Sequence, residues 1–251
     1  MSIKYKNYPV KIDGSGVLSE IWSYGFGSTD ATMNYESAVV AVLDQLTSRS
    51  GGIGQKILAA LPSDKTIVIV PYDGDGGACN AWADDATILE RGQARVCFSP
   101  ATWKVGGVCL PSGDAGIGKG SDEILLHEFL HAYRKVRGSY NRAHFLVAPD
   151  KLYDDIEELW SILLTNIYMS EKGATKFRRD HHGFAELPAK WATSDSFMRD
   201  PDFFKYIELF WIRESGLLTN IATSSIAAFN PFKAYKALTD AQSAAQAAAW
   251  N

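Results

Sequence analysis

A chain of 251 residues, 46% hydrophobic and 22% charged, has the composition of a folded protein that buries a sizeable core, which excludes disorder along its length. The net charge of −4 argues against a polyanion-binding surface, so nucleic acid is not an expected partner. The one basic run, Lys176 to Arg179, reads as a solvated helix end.

No apolar stretch reaches the length of a signal peptide or a transmembrane helix. The sequence therefore predicts a protein made and folded in the cytoplasm with no membrane span, and leaves open export by a secretion machine that ignores amino-terminal signals. Cys79, Cys97 and Cys109 show neither the even count of a disulfide framework nor a C-x-x-C spacing, and read as free buried thiols.

In chain order, weak strand patterning around Val17 to Tyr24 comes first. Thr29-Asp30 then opens a helix carried by Ala38, Val39, Val42, Leu43 and Leu46, which ends near Ser50-Gly51-Gly52. A short helix is expected over Gln55 to Leu61. The β-branched run Thr66-Ile67-Val68-Ile69-Val70, set between Pro62 and Pro71, has the pattern of a buried strand, and Tyr72 to Gly77 that of a loop. Ala86 to Leu89 and Ala94 to Phe98 are expected to pair around Arg91-Gly92. An edge strand over a peptidase cleft would bind substrate backbone by strand addition, and Arg95 to Phe98 is the candidate; an interior strand fits the same alternation.

His127-Glu128-Phe129-Leu130-His131 carries the chemistry. Residues four apart share a helix face, so His127 and His131 can offer two imidazole nitrogens to one metal ion. Glu128 beside them suits the general base of a zinc hydrolase, taking a proton from the attacking water. With 5 His in the chain, a chance H-E-x-x-H match is on the order of 1%. Context supports a helix over about residues 121 to 137: Gly120-Ser121 precedes acidic Asp122 and Glu123 at the start, and Lys135, Arg137 and Gly138 form a stop.

Lys151 to Ser170 follows as a second strong helix, with Leu152, Ile156, Leu159, Trp160, Leu163 and Ile167 on its apolar face. A catalytic zinc keeps three protein ligands and one open position, so this helix is expected to bring the third. Asp154, Asp155, Glu157 and Glu158 all offer carboxylates. Ser161, small and three residues after Glu158, favours Glu158, whereas helical phase favours Glu157; His144 is a further candidate. Downstream, Asp180-His181-His182-Gly183 supplies groups that can stabilise the oxyanion formed in amide hydrolysis: His182 or His181, with Asp180 orienting the ring. Helices are expected over Pro201 to Glu214, over Leu217 to Ala228, and in the Ala-rich tail from Pro231.

The block His127 to Arg134, followed by Glu157-Glu158-Leu159-Trp160-Ser161-Ile162-Leu163, resembles gluzincin-type zinc metallopeptidases, and more narrowly the effector and polymorphic-toxin metallopeptidases that bacteria inject into other cells. The resemblance covers roughly residues 95 to 185. It implies a zincin-like α+β fold of one domain, with a strand-containing lobe over about residues 1 to 120 and a helical lobe beyond. It further implies Zn2+ as cofactor and Glu158 as third ligand, by carry-over of the Glu with a small residue three positions on. The expected activity is that of a zinc-dependent endopeptidase on a protein or peptide substrate. A toxin of this kind would be secreted into a target cell, with a cognate immunity protein or a secretion partner among its partners. Two alternatives share the motif: a zinc-binding interaction protein without turnover, and an amidase on a non-protein peptide such as cell-wall peptide.

Overall fold

The structure is a computed structural model that describes residues 2–16, 28–72, 79–84, 92–111, 116–142, 153–181, 183–223 and 226–249. Its elements, in chain order, are β1 (Ser2–Lys4), β2 (Val10–Asp13), α1 (Ser28–Leu46), α2 (Ile53–Ala59), β3 (Thr66–Val70), β4 (Trp82–Asp84), β5 (Gln93–Cys97), α3 (Ser121–Val136), α4 (Ile156–Glu171), α5 (Ser194–Arg199), α6 (Pro201–Arg213), α7 (Ser215–Ala222) and α8 (Pro231–Ala249). This is the expected α+β class, a small amino-terminal sheet followed by helices.

The chain divides into two compact units, one of residues 1–50 and 57–141, the other of residues 51–56 and 142–251. The motif helix α3 belongs to the first unit, with the sheet, whereas the sequence reading set it at the head of the helical lobe.

In the first unit the five strands run in the order β1-β2-β3-β5-β4. The three inner strands β2, β3 and β5 are parallel, and the outer strands β1 and β4 pair antiparallel to their neighbours. Alternation explains the face that is buried: Ile67 and Ile69 of β3 stand in register with Val10 and Ile12 of β2 on one side and with Ala94 and Val96 of β5 on the other, and all six are fully buried. Helix α3 packs on β5, β4 and β3, and against α1.

Two expectations about this region are corrected. Strand β5 lies between β3 and β4, so both its edges are paired and Arg95–Phe98 cannot take up a substrate strand; the terminal strand on that side of the sheet is β4. The partner of β5 is Trp82–Asp84, while residues 86–89 and the segment 17–24 lie outside the described residues. Alternation alone could not separate interior from edge, because a period of two reports which faces are buried and nothing about neighbours along the hydrogen-bonding direction. Cys79 and Cys109 form a disulfide with Cα atoms 5.3 Å apart, so only Cys97 remains the buried free thiol expected of all three. The two half-cystines are separated by 30 residues and share no spacing signature, which is why the pair was not legible.

In the second unit α4 is the central helix. All its residues except Glu158 are buried, and Trp160 packs edge-on to Phe210 of α6 at 5.0 Å between ring centroids and near Phe232 of α8 at 6.4 Å. The helix begins at Ile156, later than the apolar pattern suggested, because Asp155 caps it: its Oδ1 accepts from the N–H groups of Glu157 (2.9 Å) and Glu158 (3.1 Å). The short helix α5 was not anticipated; its six residues are too few for a period to show.

The disulfide gives a first prediction. Closing a loop of this length is expected to stabilise the fold by about 2–4 kcal/mol. Reduction under native conditions should therefore move the midpoint of urea unfolding down, and superimposable oxidised and reduced unfolding curves would contradict a closed native bridge.

Candidate metal centre

Helix α3 is a buried element carrying charged groups. Of its residues only Ser121 and Lys135 are not buried. Burying such groups is tolerated only when each finds partners, and the helix is accordingly tied at both ends. At its start the Glu123 carboxylate reaches back to the Gly120 N–H (3.0 Å), Asp122 accepts from the Gln45 amide of α1 (3.1 Å), and the Ser121 hydroxyl donates to the Trp103 carbonyl (2.9 Å). At its end Gly138 takes φ +68°, a left-handed turn that favours glycine, and the Ser139 N–H returns to the Arg134 carbonyl (3.0 Å). The fully buried Arg134 donates from Nη2 to the Ser139 carbonyl (2.8 Å), and Lys135 Nζ reaches the Ala83 carbonyl of β4 (2.6 Å).

This anchorage fixes the rotation of α3 and hence the two histidines. Both are buried, and their Nε2 atoms face each other at 3.2 Å with the rings nearly perpendicular, 82° apart. Two ligands at 2.0–2.1 Å on a tetrahedral ion would stand roughly 3.3 Å apart, so the pair fits zinc without rearrangement. Tyr140, which the sequence reading did not single out, lies edge-on to His131 with centroids 6.1 Å apart, and Lys135 Nζ sits 4.7 Å from the centroid of the same tyrosine ring. Glu128 is buried on the same helix, next to His127 in sequence.

The second unit holds another group of potential ligands. Glu158 stands in the first turn of α4, and its Oε2 lies 3.3 Å from His181 Nε2. The other nitrogen of that ring, Nδ1, lies 2.7 Å from Asp154 Oδ2. His181 is carried by a loop that α4 itself positions. Asn166 of α4 clasps the backbone of Arg178 with both ends of its amide, accepting from the N–H (2.9 Å) and donating to the C=O (2.8 Å). Arg178 then turns its buried guanidinium onto the loop, donating from Nε to the Asp180 carbonyl (2.7 Å) and from Nη2 to the His181 carbonyl. Asp180 Oδ1 closes the turn by accepting from the Gly183 N–H (2.8 Å), and a Cβ at Gly183 would meet that oxygen at 3.0 Å.

Several expectations change here. The ring of His181 is oriented by Asp154, not by Asp180, whose carboxylate is engaged with Gly183 and with Arg179 Nη2 (3.1 Å). The run Lys176 to Arg179 is not a solvated helix end: Arg178 is buried and forms a bridge with Glu186 in an extended pair of segments. Asp155 serves as the helix cap, and Glu157 is fully buried whereas Glu158 faces His181. His182 and His144 lie outside the described residues.

No protein-family model, no curated protein and no solved structure matches the chain.

The clasp at Asn166 yields a prediction. Asn166→Ala would leave the buried Arg178 N–H and C=O without that partner, at a cost of about 1–3 kcal/mol per group. Chemical denaturation should show the loss directly; an unchanged midpoint would mean that Asn166 does not hold the loop.

Proposed function

We propose that the protein is a zinc-dependent endopeptidase in which His127 and His131 are metal ligands and Glu128 is the general base; Glu158 is assigned as third ligand from the sequence resemblance alone. The observation that carries the reading is the pair of buried imidazoles on α3 whose Nε2 atoms converge at 3.2 Å, with a carboxylate one residue after the first of them. Imidazole with carboxylate is a donor set that suits zinc, with no thiolate required. When bound, zinc supplies the Lewis acidity that polarises a scissile carbonyl and acidifies water. Glu128 takes the proton of the attacking water and returns it to the leaving amine, the two roles of a general base that becomes a general acid. The carboxylate is held for this by a helix that cannot rotate, since α3 is tied to α1, to the loop at Trp103 and to β4.

The substrate class is protein or peptide. An extended substrate backbone would add to the terminal strand β4, which takes over the role that the sequence reading gave to β5. The effector and toxin assignment, with delivery into a target cell and an immunity or secretion partner, rests on the sequence resemblance of the motif block.

Three variants test the reading together. His127→Ala and His131→Ala should each lose stoichiometric zinc, read by elemental analysis after metal-replete purification. Glu128→Gln should keep the fold and the zinc while hydrolysis of a generic protein substrate falls by roughly 10²- to 10⁴-fold, the span for loss of general acid–base catalysis. Toxicity on expression in a susceptible cell should vanish with the same substitution. Zinc retained in Glu128→Gln together with undiminished toxicity would favour a zinc-binding interaction protein; turnover of cell-wall peptides but not of proteins would favour the amidase.

A further inference from the structure

Lys135 joins two parts of the first unit that the proposed reaction uses, the edge strand β4 and the histidine helix α3. Along β5 the backbone groups of successive residues point alternately to its two neighbours. The Phe98 N–H donates to the Val70 carbonyl of β3 (2.9 Å), and the Gly92 carbonyl accepts from the Thr66 N–H of β3 (3.0 Å), so Val96 between them also faces β3 while Arg95 and Cys97 face β4. In the antiparallel register Arg95 and Cys97 stand opposite Asp84 and Trp82. Ala83, opposite Val96, is thereby left with its N–H and C=O turned away from β5, toward the outer edge of the sheet. The carbonyl turned out in this way is the one that receives Lys135 Nζ, at 2.6 Å.

The same side chain stands beside the metal histidines. Lys135 is four residues after His131, so the two share a face of α3, and Tyr140 touches both: its ring is edge-on to His131 with centroids 6.1 Å apart, and Lys135 Nζ lies 4.7 Å from its centroid. A cation is thus held on the carbonyl that a strand added to β4 would use, one helical turn from a metal-binding imidazole. We infer that Lys135 is a specificity-determining residue, selecting extended substrates that carry an Asp or Glu side chain within a few residues of the scissile bond. The inference rests on the proposed peptidase reading and names its substrate class. An ammonium can donate more hydrogen bonds than the one given to Ala83, and a substrate carboxylate is the acceptor that gains most from it, because such charge-assisted bonds are about twice as strong as neutral ones. A neutral substrate competes with the ammonium for the Ala83 carbonyl and returns no partner to it; a basic one adds repulsion. Asp84, the acid next to Ala83, is engaged by Arg95 of β5.

The test uses the full zinc-loaded chain and a mixture of synthetic peptides of randomised sequence, with the cleaved bonds read by mass spectrometry. At one position near the scissile bond the parent should favour Asp and Glu over Asn and Gln by about 10- to 100-fold in kcat/KM, the worth of one hydrogen bond to a charged group. Added salt should shrink that preference. Lys135→Met should abolish it, Lys135→Arg should keep it, and Lys135→Glu should turn it toward Lys and Arg; circular dichroism confirms that each variant is folded. The parent's own preference and its salt dependence carry the test if the variants fail to fold. A parent indifferent to acidic residues, or a folded Lys135→Glu that still prefers them, would overturn the inference and leave Lys135 as a brace that keeps the sheet edge from pairing. A parent that binds zinc and cleaves no peptide would instead remove the proposed peptidase, and this inference with it.

Discussion

Two imidazole nitrogens held 3.2 Å apart on a buried helix are the constraint on which the rest of the first unit depends. Successive residues on a helix are about 100° apart, so a turn of α3 by one position would carry both rings away from their common point. The surrounding sequence prevents that turn. Apolar side chains of α3 pack on the sheet and on α1, and the charged ones are each engaged: Asp122 with Gln45, Glu123 with the Gly120 N–H, Arg134 with the Ser139 carbonyl. Partners of this kind are what permit a charged helix to be buried, and they also give the site its geometry.

The second unit solves a different problem, that of giving a loop the precision of a helix. Asn166, two turns along α4 from Glu158, transmits the position of that helix to Arg178, and Arg178 transmits it to the backbone at His181. The guanidinium also lies over the Phe184 ring, 3.9 Å from its centroid, beneath a residue in the left-handed region at φ +50°. Positive φ at a phenylalanine is uncommon, and here it accompanies a turn that the Asp180 carboxylate and Gly183 close together. Buried arginine, amide clasp and strained turn together hold one imidazole.

What could be read from the sequence follows from how local each signal is. The extent of α3 was legible to within a residue, because acidic first-turn residues, a four-residue histidine spacing and a terminal glycine all act within the helix. Strand β3 was legible from its β-branched run. Strands β1 and β2, with three and four residues, were too short to declare a period. The edge position of β4, the Cys79–Cys109 bridge and the Asp154–His181 contact are pairings between distant residues, the last separated by 27 positions, and no local pattern encodes them. Among the carboxylates around residues 154 to 158, Asp154 is a histidine partner only through the distant loop at 181, whereas Asp155 takes the local role of helix cap.

Zinc K-edge X-ray absorption of the zinc-loaded protein addresses the metal centre most directly, since it reads donor atoms without reference to turnover. The account predicts about one zinc per chain with nitrogen and oxygen donors alone, at about 2.0–2.2 Å, and with the outer-shell scattering of imidazole rings. A sulfur shell at about 2.3 Å, which would place the metal on cysteine, or a spectrum without imidazole scattering, would contradict it.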